Sequence, residues 1–113
     1  TWADLEDSGL TDKACRTFVE TLSAVAAGLP TAPQIGIYTS WYKAKCIKLG
    51  KWAAAYPLWV ADWRGKREPL IPTPWSPPPL AGGKGGYTFW QYTVAPSWPG
   101  VPGRLDLNRR PTT

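Results

Sequence analysis

Two carboxylates two residues apart, Asp4 and Glu6, are the sharpest chemical feature of the chain. The run Trp2-Ala3-Asp4-Leu5-Glu6-Asp7 alternates in character. On a strand, Trp2, Asp4 and Glu6 share one face, and Ala3 and Leu5 share the other. Residues i and i+2 then lie about 6.5–7 Å apart. Two anions so placed repel each other, one pKa rises, and that group can keep its proton near neutrality. A protonated acid beside an ionised partner is what cleavage of a glycosidic bond requires. Acidic pairs of this kind are also common on solvated strands, and Asp7 falls on the opposite face. Asp62 and Asp106 sit in or at the end of apolar strand-like runs. A charge there is costly unless it is paired or faces a working cleft. Arg64 and Arg104 are the available partners.

Aromatic residues form the second constellation. Tyr38, Trp59, Trp63, Trp90 and Tyr92 fall at or near expected strand ends. Their apolar faces suit the C–H face of a sugar, while their polar edges keep a hydrogen bond. Filling of the core is the competing use, and it is the expectation for Trp59. Tyr38, Trp63 and Tyr92 are the better site candidates.

The elements that must carry these groups follow from periodicity and punctuation. The first strand covers residues 2–7. Thr11 then caps a helix in which Ala14, Phe18, Leu22 and Val25 recur at helical spacing until Gly28. Gln34 to Thr39 is a strand, and residues 41–52 form a short helix or irregular turn. Leu58 to Trp63, introduced by Pro57, is an apolar run of the type buried on both faces. From Arg64 to Gly86 the chain is rich in Pro and then in Gly, a long connector stiff in its first half and flexible in its second. Such a linker inside a small domain is usually functional. Tyr87 to Thr93 and Arg104 to Asn108 are the last strands. Alternation of β and α in the first half implies parallel strands with right-handed crossovers, so the fold class is α/β. The helices then give out.

Composition limits the chemistry. The 113 residues suffice for one domain of modest core. Eight Trp, five Tyr and two Phe exclude a disordered chain, even with Pro and Gly at about a fifth of the residues. Histidine is absent, which removes Ser-His-Asp and Cys-His nucleophile systems and His-dependent zinc sites. No metal site and no cofactor are expected. Cys15 and Cys46 either bridge or stay as two small core residues, the simpler expectation. No apolar run reaches the ~18 residues of a membrane span, and the first residues show no basic stretch followed by an apolar one, so no signal peptide is visible in them. The net charge is +5, with Lys43, Lys45, Lys48 and Lys51 in one group and Arg64, Lys66 and Arg67 in another. A solvated helix face explains them. Attraction to an anionic polymer such as a bacterial wall, or to single-stranded nucleic acid through nearby Trp41, Tyr42 and Trp52, are the other readings.

Taken together, Asp4-Leu5-Glu6, Ile37-Tyr38-Thr39, Pro57-Leu58-Trp59-Val60-Ala61, Phe89-Trp90-Gln91-Tyr92-Thr93 and Leu105-Asp106-Leu107-Asn108 resemble glycoside hydrolase family 25. These are the N-acetylmuramidases, lysozymes of the Chalaropsis type, from bacteria, phages and fungi. The resemblance covers nearly the whole chain in the right order. It implies a modified TIM-like β/α barrel whose last strands lack full helices, with its site at the C-terminal strand ends. It implies cleavage of the β-1,4 bond between N-acetylmuramic acid and N-acetylglucosamine in peptidoglycan. Glu6 would be the general acid. Asp4 would stabilise positive charge directly or orient the 2-acetamido group of the substrate. Asp106 would match a further acidic residue of the site floor. Tyr38 and Trp63 would line sugar subsites, with Trp90, Tyr92 and Asp62 as further substrate-binding candidates. A family member normally opens with a Gly-x-Asp-x-Ser strand and two further β/α units before the Asp-x-Glu strand. Residues 1–108 therefore resemble the C-terminal half of such a domain, with 109–113 as a tail. Little activity is expected from this half alone, and its open sheet edges favour self-association. The expected setting is secreted or wall-acting, bacterial or phage-encoded, with peptidoglycan rather than nucleic acid as partner. A non-catalytic glycan-binding module is the alternative from another functional class.

Overall fold

The computed structural model describes residues 1–7, 9–66, 68–76, 86–95 and 105–109, with side chains as far as Tyr92. Strand β1 (Trp2–Asp4) leads through helix α1 (Asp12–Ala27) to β2 (Gly36–Thr39). Helix α2 (Trp41–Ile47) and a 3₁₀ turn (Lys51–Ala55) lead to β3 (Leu58–Ala61). A second 3₁₀ turn (Thr73–Trp75) precedes β4 (Phe89–Ala95) and β5 (Leu105–Arg109). The five strands form one sheet in chain order. β1 to β4 are parallel, and β5 returns antiparallel to β4. Parallel neighbours need a crossover, which α1 supplies between β1 and β2 and α2 between β2 and β3. β5 runs one residue beyond the expected boundary at 108 and takes in Arg109.

The pleat separates two faces. On the helix side, Ala3, Leu5, Ile37, Leu58, Val60 and Trp90 are buried and meet Cys15, Val19 and Ala26 of α1 and Ala44 and Ile47 of α2. On the other side Trp2, Tyr38, Trp59 and Phe89 are half-buried. Their rings interlock: Trp2 lies edge-on to Trp59 at 5.6 Å and to Phe89 at 5.8 Å, and Tyr38 lies 4.6 Å from Trp59. Trp59 is thus not part of the helix-side core, because its odd position in β3 puts it on the opposite pleat from Leu58 and Val60. A pocket of about 530 Å³ opens at the N-terminal ends of the strands, bordered by Trp2, Gly36, Pro57 and Phe89. Gly36 pairs with Trp2, and a Cβ at residue 36 would overlap the Trp2 indole. Gly36→Ala should therefore lower stability by about 1–3 kcal/mol through overpacking. A urea midpoint equal to the parent's would contradict this close fit.

α1 is rotated from its expected setting. Thr11 caps it as the sequence indicates, its Oγ1 accepting from the Ala14 amide at 3.1 Å. The buried stripe, however, is Cys15, Val19 and Ala26 with Leu22 packed beside it, while Phe18 and Val25 are 48% and 60% exposed. Two apolar ladders one residue apart overlap on this helix, and one residue is about 100° of rotation. The ladder of smaller side chains faces the sheet. Gly28 ends the helix with φ −83°, so its left-handed freedom is not used. Asp12 in the first turn accepts from both the Gly50 amide and the Trp52 indole at 2.7 Å, tying α1 to the first 3₁₀ turn.

The Pro-rich connector is not structureless in its first half. Trp75 is 2% exposed and donates its indole N–H to the Tyr56 carbonyl at 2.9 Å, and Pro72 is fully buried. Proline fixes φ and removes a donor, so this segment can pack with few amides to satisfy. Residues 77–85, which hold the connector's last prolines and all of the expected flexible Gly-rich part except Gly86, lie outside the described residues. Cys15 is a buried thiol and Cys46 an exposed one, with no bridge between them.

Candidate active site

The end of β1 is fixed by two bonds to β2. The Leu5 amide donates to the Tyr38 carbonyl at 2.9 Å, and the buried Thr39 hydroxyl donates to the Leu5 carbonyl at 3.0 Å. Leu5 is itself 1% exposed, so alternation projects Asp4 and Glu6 from the other face. Asp4 is exposed and Glu6 half-buried, and their carboxyls share a hydrogen bond. Burial pushes the Glu6 pKa from 4.5 to about 7, with the Asp4 charge and that hydrogen bond adding to it. Asp7 adds a little more, while Lys43 opposes the shift. Lys43 is held nearby because Ser40 caps α2, its Oγ accepting from the Lys43 amide at 3.1 Å. At neutral pH Glu6 therefore keeps its proton on about half of the molecules, whereas an ordinary carboxyl would be almost fully ionised.

A second group joins β2, the segment after β3 and the third residue of β4. Tyr38 Oη donates to Gln91 Oε1 at 2.6 Å, and Trp63 Nε1 donates to the same oxygen at 3.1 Å. Gln91 is 2% exposed, while Trp63 is 58% exposed, so its indole edge is anchored and its ring is open. The ladder between β4 and β5 shifts register between Gln91 and Thr93. Such bulges re-aim side chains near sites. Gln91 lies in the Phe89-Trp90-Gln91-Tyr92-Thr93 motif but is not among the residues expected in the site. The available signal was a polar side chain inside an aromatic strand, which must find hydrogen-bond partners when buried.

Three expected substrate-binding residues are placed elsewhere. Asp62 faces the connector: its two oxygens accept from the Arg64 guanidinium at 2.8–3.0 Å, and they also accept from the Leu70 amide at 2.7 Å and the Arg64 amide at 3.1 Å. Burial pushes this carboxyl up, but the Arg64 guanidinium and the two amides outweigh burial and leave it below the usual value. Asp62 holds the loop that carries Trp63. Trp90 is 3% exposed on the helix side and donates to the Asp62 carbonyl at 2.9 Å. Tyr92 packs against that same core beside Trp90, with ring centroids 6.0 Å apart. The pleat explains both, since Trp90 and Tyr92 lie on the face opposite Gln91. Asp106 lies in β5 opposite Val94, and its side chain is outside the described residues. Of the basic groups, Lys45 sits over the Trp41 ring at 4.8 Å.

Comparison with known proteins shows what the chain is similar to. Residues 3–101 match the model of glycosyl hydrolases family 25. The chain is 31% identical over 103 residues to Lysozyme M1 of Streptomyces globisporus, covering 89% of this chain and 31% of that protein. It superposes on the CTP1L endolysin, described in a crystal structure concerned with regulation by a secondary translation product. The TM-score is 0.71 at 27% identity, covering 97% of this chain and 34% of the endolysin. The chain thus spans about a third of the length of these relatives. With a matched family model over most of its residues, the chain belongs to glycosyl hydrolases family 25.

Proposed function

We propose that this chain carries the acid-donating part of a peptidoglycan-cleaving site. Its target is the β-1,4 bond between N-acetylmuramic acid and N-acetylglucosamine. The observation that carries this reading is Glu6, its pKa raised to about 7 beside Asp4, just past the C-terminal end of a parallel strand. Glu6 protonates the glycosidic oxygen as the bond breaks. Asp4 offsets the positive charge that develops on the sugar, directly or by orienting the 2-acetamido group. Tyr38 and Trp63 hold the sugar, and Asp106 adds a further carboxylate from β5.

Four parallel strands adjacent in chain order, with helices on one face, support an arc of a TIM-like barrel. The aromatic face is then the inner one. In this reading residues 1–108 are the C-terminal part of the catalytic domain. The outer edge of β1 has no strand partner among the described residues, and self-association through it is part of the proposal. Family membership supports a wall-acting setting, secreted or phage-encoded. Among the described residues, no helix is long and apolar enough to cross a membrane.

One arc supplies only part of a cleft, so the purified chain should release few muropeptides. Rapid clearing of peptidoglycan by this 113-residue chain would overturn the partial-site reading. The exposed Trp63 ring with its anchored edge favours a second reading, a glycan-binding module without turnover. Glycan binding with no product from a sensitive reducing-end assay, unchanged by Glu6→Gln, supports that module.

A further inference from the structure

Gln91 is buried and touches both proposed sugar contacts. Its Oε1 lies 2.6 Å from Tyr38 Oη and 3.1 Å from Trp63 Nε1. An indole N–H can only donate, so the atom facing Trp63 must be the amide oxygen. The same oxygen faces Tyr38, so the phenol must donate as well. The polarity of the group follows. The Tyr38 proton is directed at Gln91, and any cleft group that approaches Oη must bring its own hydrogen. Trp63 is held by its edge in one plane, which leaves a ring face for a sugar.

The backbone keeps this hub in place. The Gln91 carbonyl accepts from the Asp62 amide at 3.1 Å, and the Trp90 indole donates to the Asp62 carbonyl at 2.9 Å. The segment leading to Trp63 is therefore tied on both sides to β4. Gln91, being 2% exposed, acts on a ligand only through its two donors.

We propose that Gln91 is a positioning residue for saccharide binding, turning Tyr38 into an acceptor for a sugar hydroxyl or amide hydrogen and fixing the plane of Trp63. This rests on the glycan reading above. Met, whose thioether is at best a weak acceptor, should release both groups, whereas Glu, ionised or neutral, keeps an oxygen acceptor at the same length.

The test uses the full chain with tri-N-acetylchitotriose as probe, measured by titration calorimetry. Gln91→Met should weaken binding about tenfold, and Gln91→Glu should restore it to within about twofold of the parent. Adding Tyr38→Phe to Gln91→Met should cost little more, since the two act as one unit. Indole N–H resonances in a ¹⁵N correlation spectrum provide a sugar-free readout, with the Trp63 peak assigned by Trp63→Phe. In Gln91→Met that peak should move upfield while the other indole peaks stay, and Gln91→Glu should return it. If the parent binds the probe but Gln91→Met binds equally well, the positioning role is overturned and the glycan reading stands. If both Gln91 variants lose binding and shift many indole peaks, Gln91 is merely structural and the proposal is overturned. If the parent binds no chitotriose, the glycan reading falls and takes the proposal with it.

Discussion

Glu6→Gln should lower any bond cleavage by about 10²–10⁴-fold and leave saccharide binding intact, because it removes the proton donor and keeps the shape. For the parent, the rate should fall as pH rises through about 7, where burial and the Asp4 charge place the Glu6 pKa. The variant should lose that limb of the profile. The same substitution has a sign in stability. In the unfolded chain Glu6 returns to about 4.5, so between 4.5 and 7 the folded state holds the extra proton. Stability contributed by this group is therefore full below the unfolded value and declines as pH rises to about 7. Gln has nothing to deprotonate. At pH 8 the variant should be the more stable by about 1 kcal/mol, after allowance for solvent screening of a partly exposed group. Below pH 4.5 the two should be nearly equal. Urea unfolding at pH 4 and pH 8 checks this, and a variant less stable than its parent at pH 8 refutes it.

Trp75→Ala should cost about 3–5 kcal/mol, the range for emptying a buried aromatic site. A chain of this size has a total stability on the order of 10 kcal/mol, so the loss is a large share. Two terms combine. The indole is 2% exposed and packs where the two 3₁₀ turns meet, and its removal orphans the Tyr56 carbonyl. Trp75→Phe separates them, keeping most of the apolar contact and losing only the 2.9 Å bond. It should cost about 1–2 kcal/mol. Gly86 makes the site still less tolerant: at φ +68° it passes so close to the Trp75 carbonyl that a Cβ would collide with it. The effect should also reach the candidate site, since Leu70 and Asp62 in the same segment set the loop carrying Trp63. An unchanged urea midpoint for Trp75→Ala would mean that this segment is not integral to the fold.

The parts of the fold written in short-range pattern were legible. Thr11 identifies the start of α1, and the alternation from Trp2 to Glu6 sorts the faces of β1 and of the two residues that follow it. The Asp4–Glu6 juxtaposition needs nothing beyond the pleat. What could not be read depends on third partners. Either ladder on α1 is apolar enough for a core, and the sheet selects between them by size. Trp75 looks like linker by its proline neighbours, yet its partner, the Tyr56 carbonyl, lies nineteen residues earlier in the chain. Trp59 alternates with Val60 as any strand residue would, and only the neighbouring Trp2 and Tyr38 rings show which side it occupies. Asp62 carries a charge that either of two uses would satisfy, and Arg64 with the Leu70 amide takes it. Gln91 was the least visible, since its role exists only once β2 and the end of β3 deliver two donors to one oxygen.

The edge-on Trp2–Trp59 pair, 5.6 Å apart and tilted 65°, also has an optical consequence. Two indoles this close and skewed couple their ultraviolet transitions and give opposed circular-dichroism bands near the helical region. The far-ultraviolet spectrum of this protein therefore reports indole geometry as well as helix content. A Trp2→Phe difference spectrum would isolate the aromatic face, following its assembly separately from that of α1 and α2.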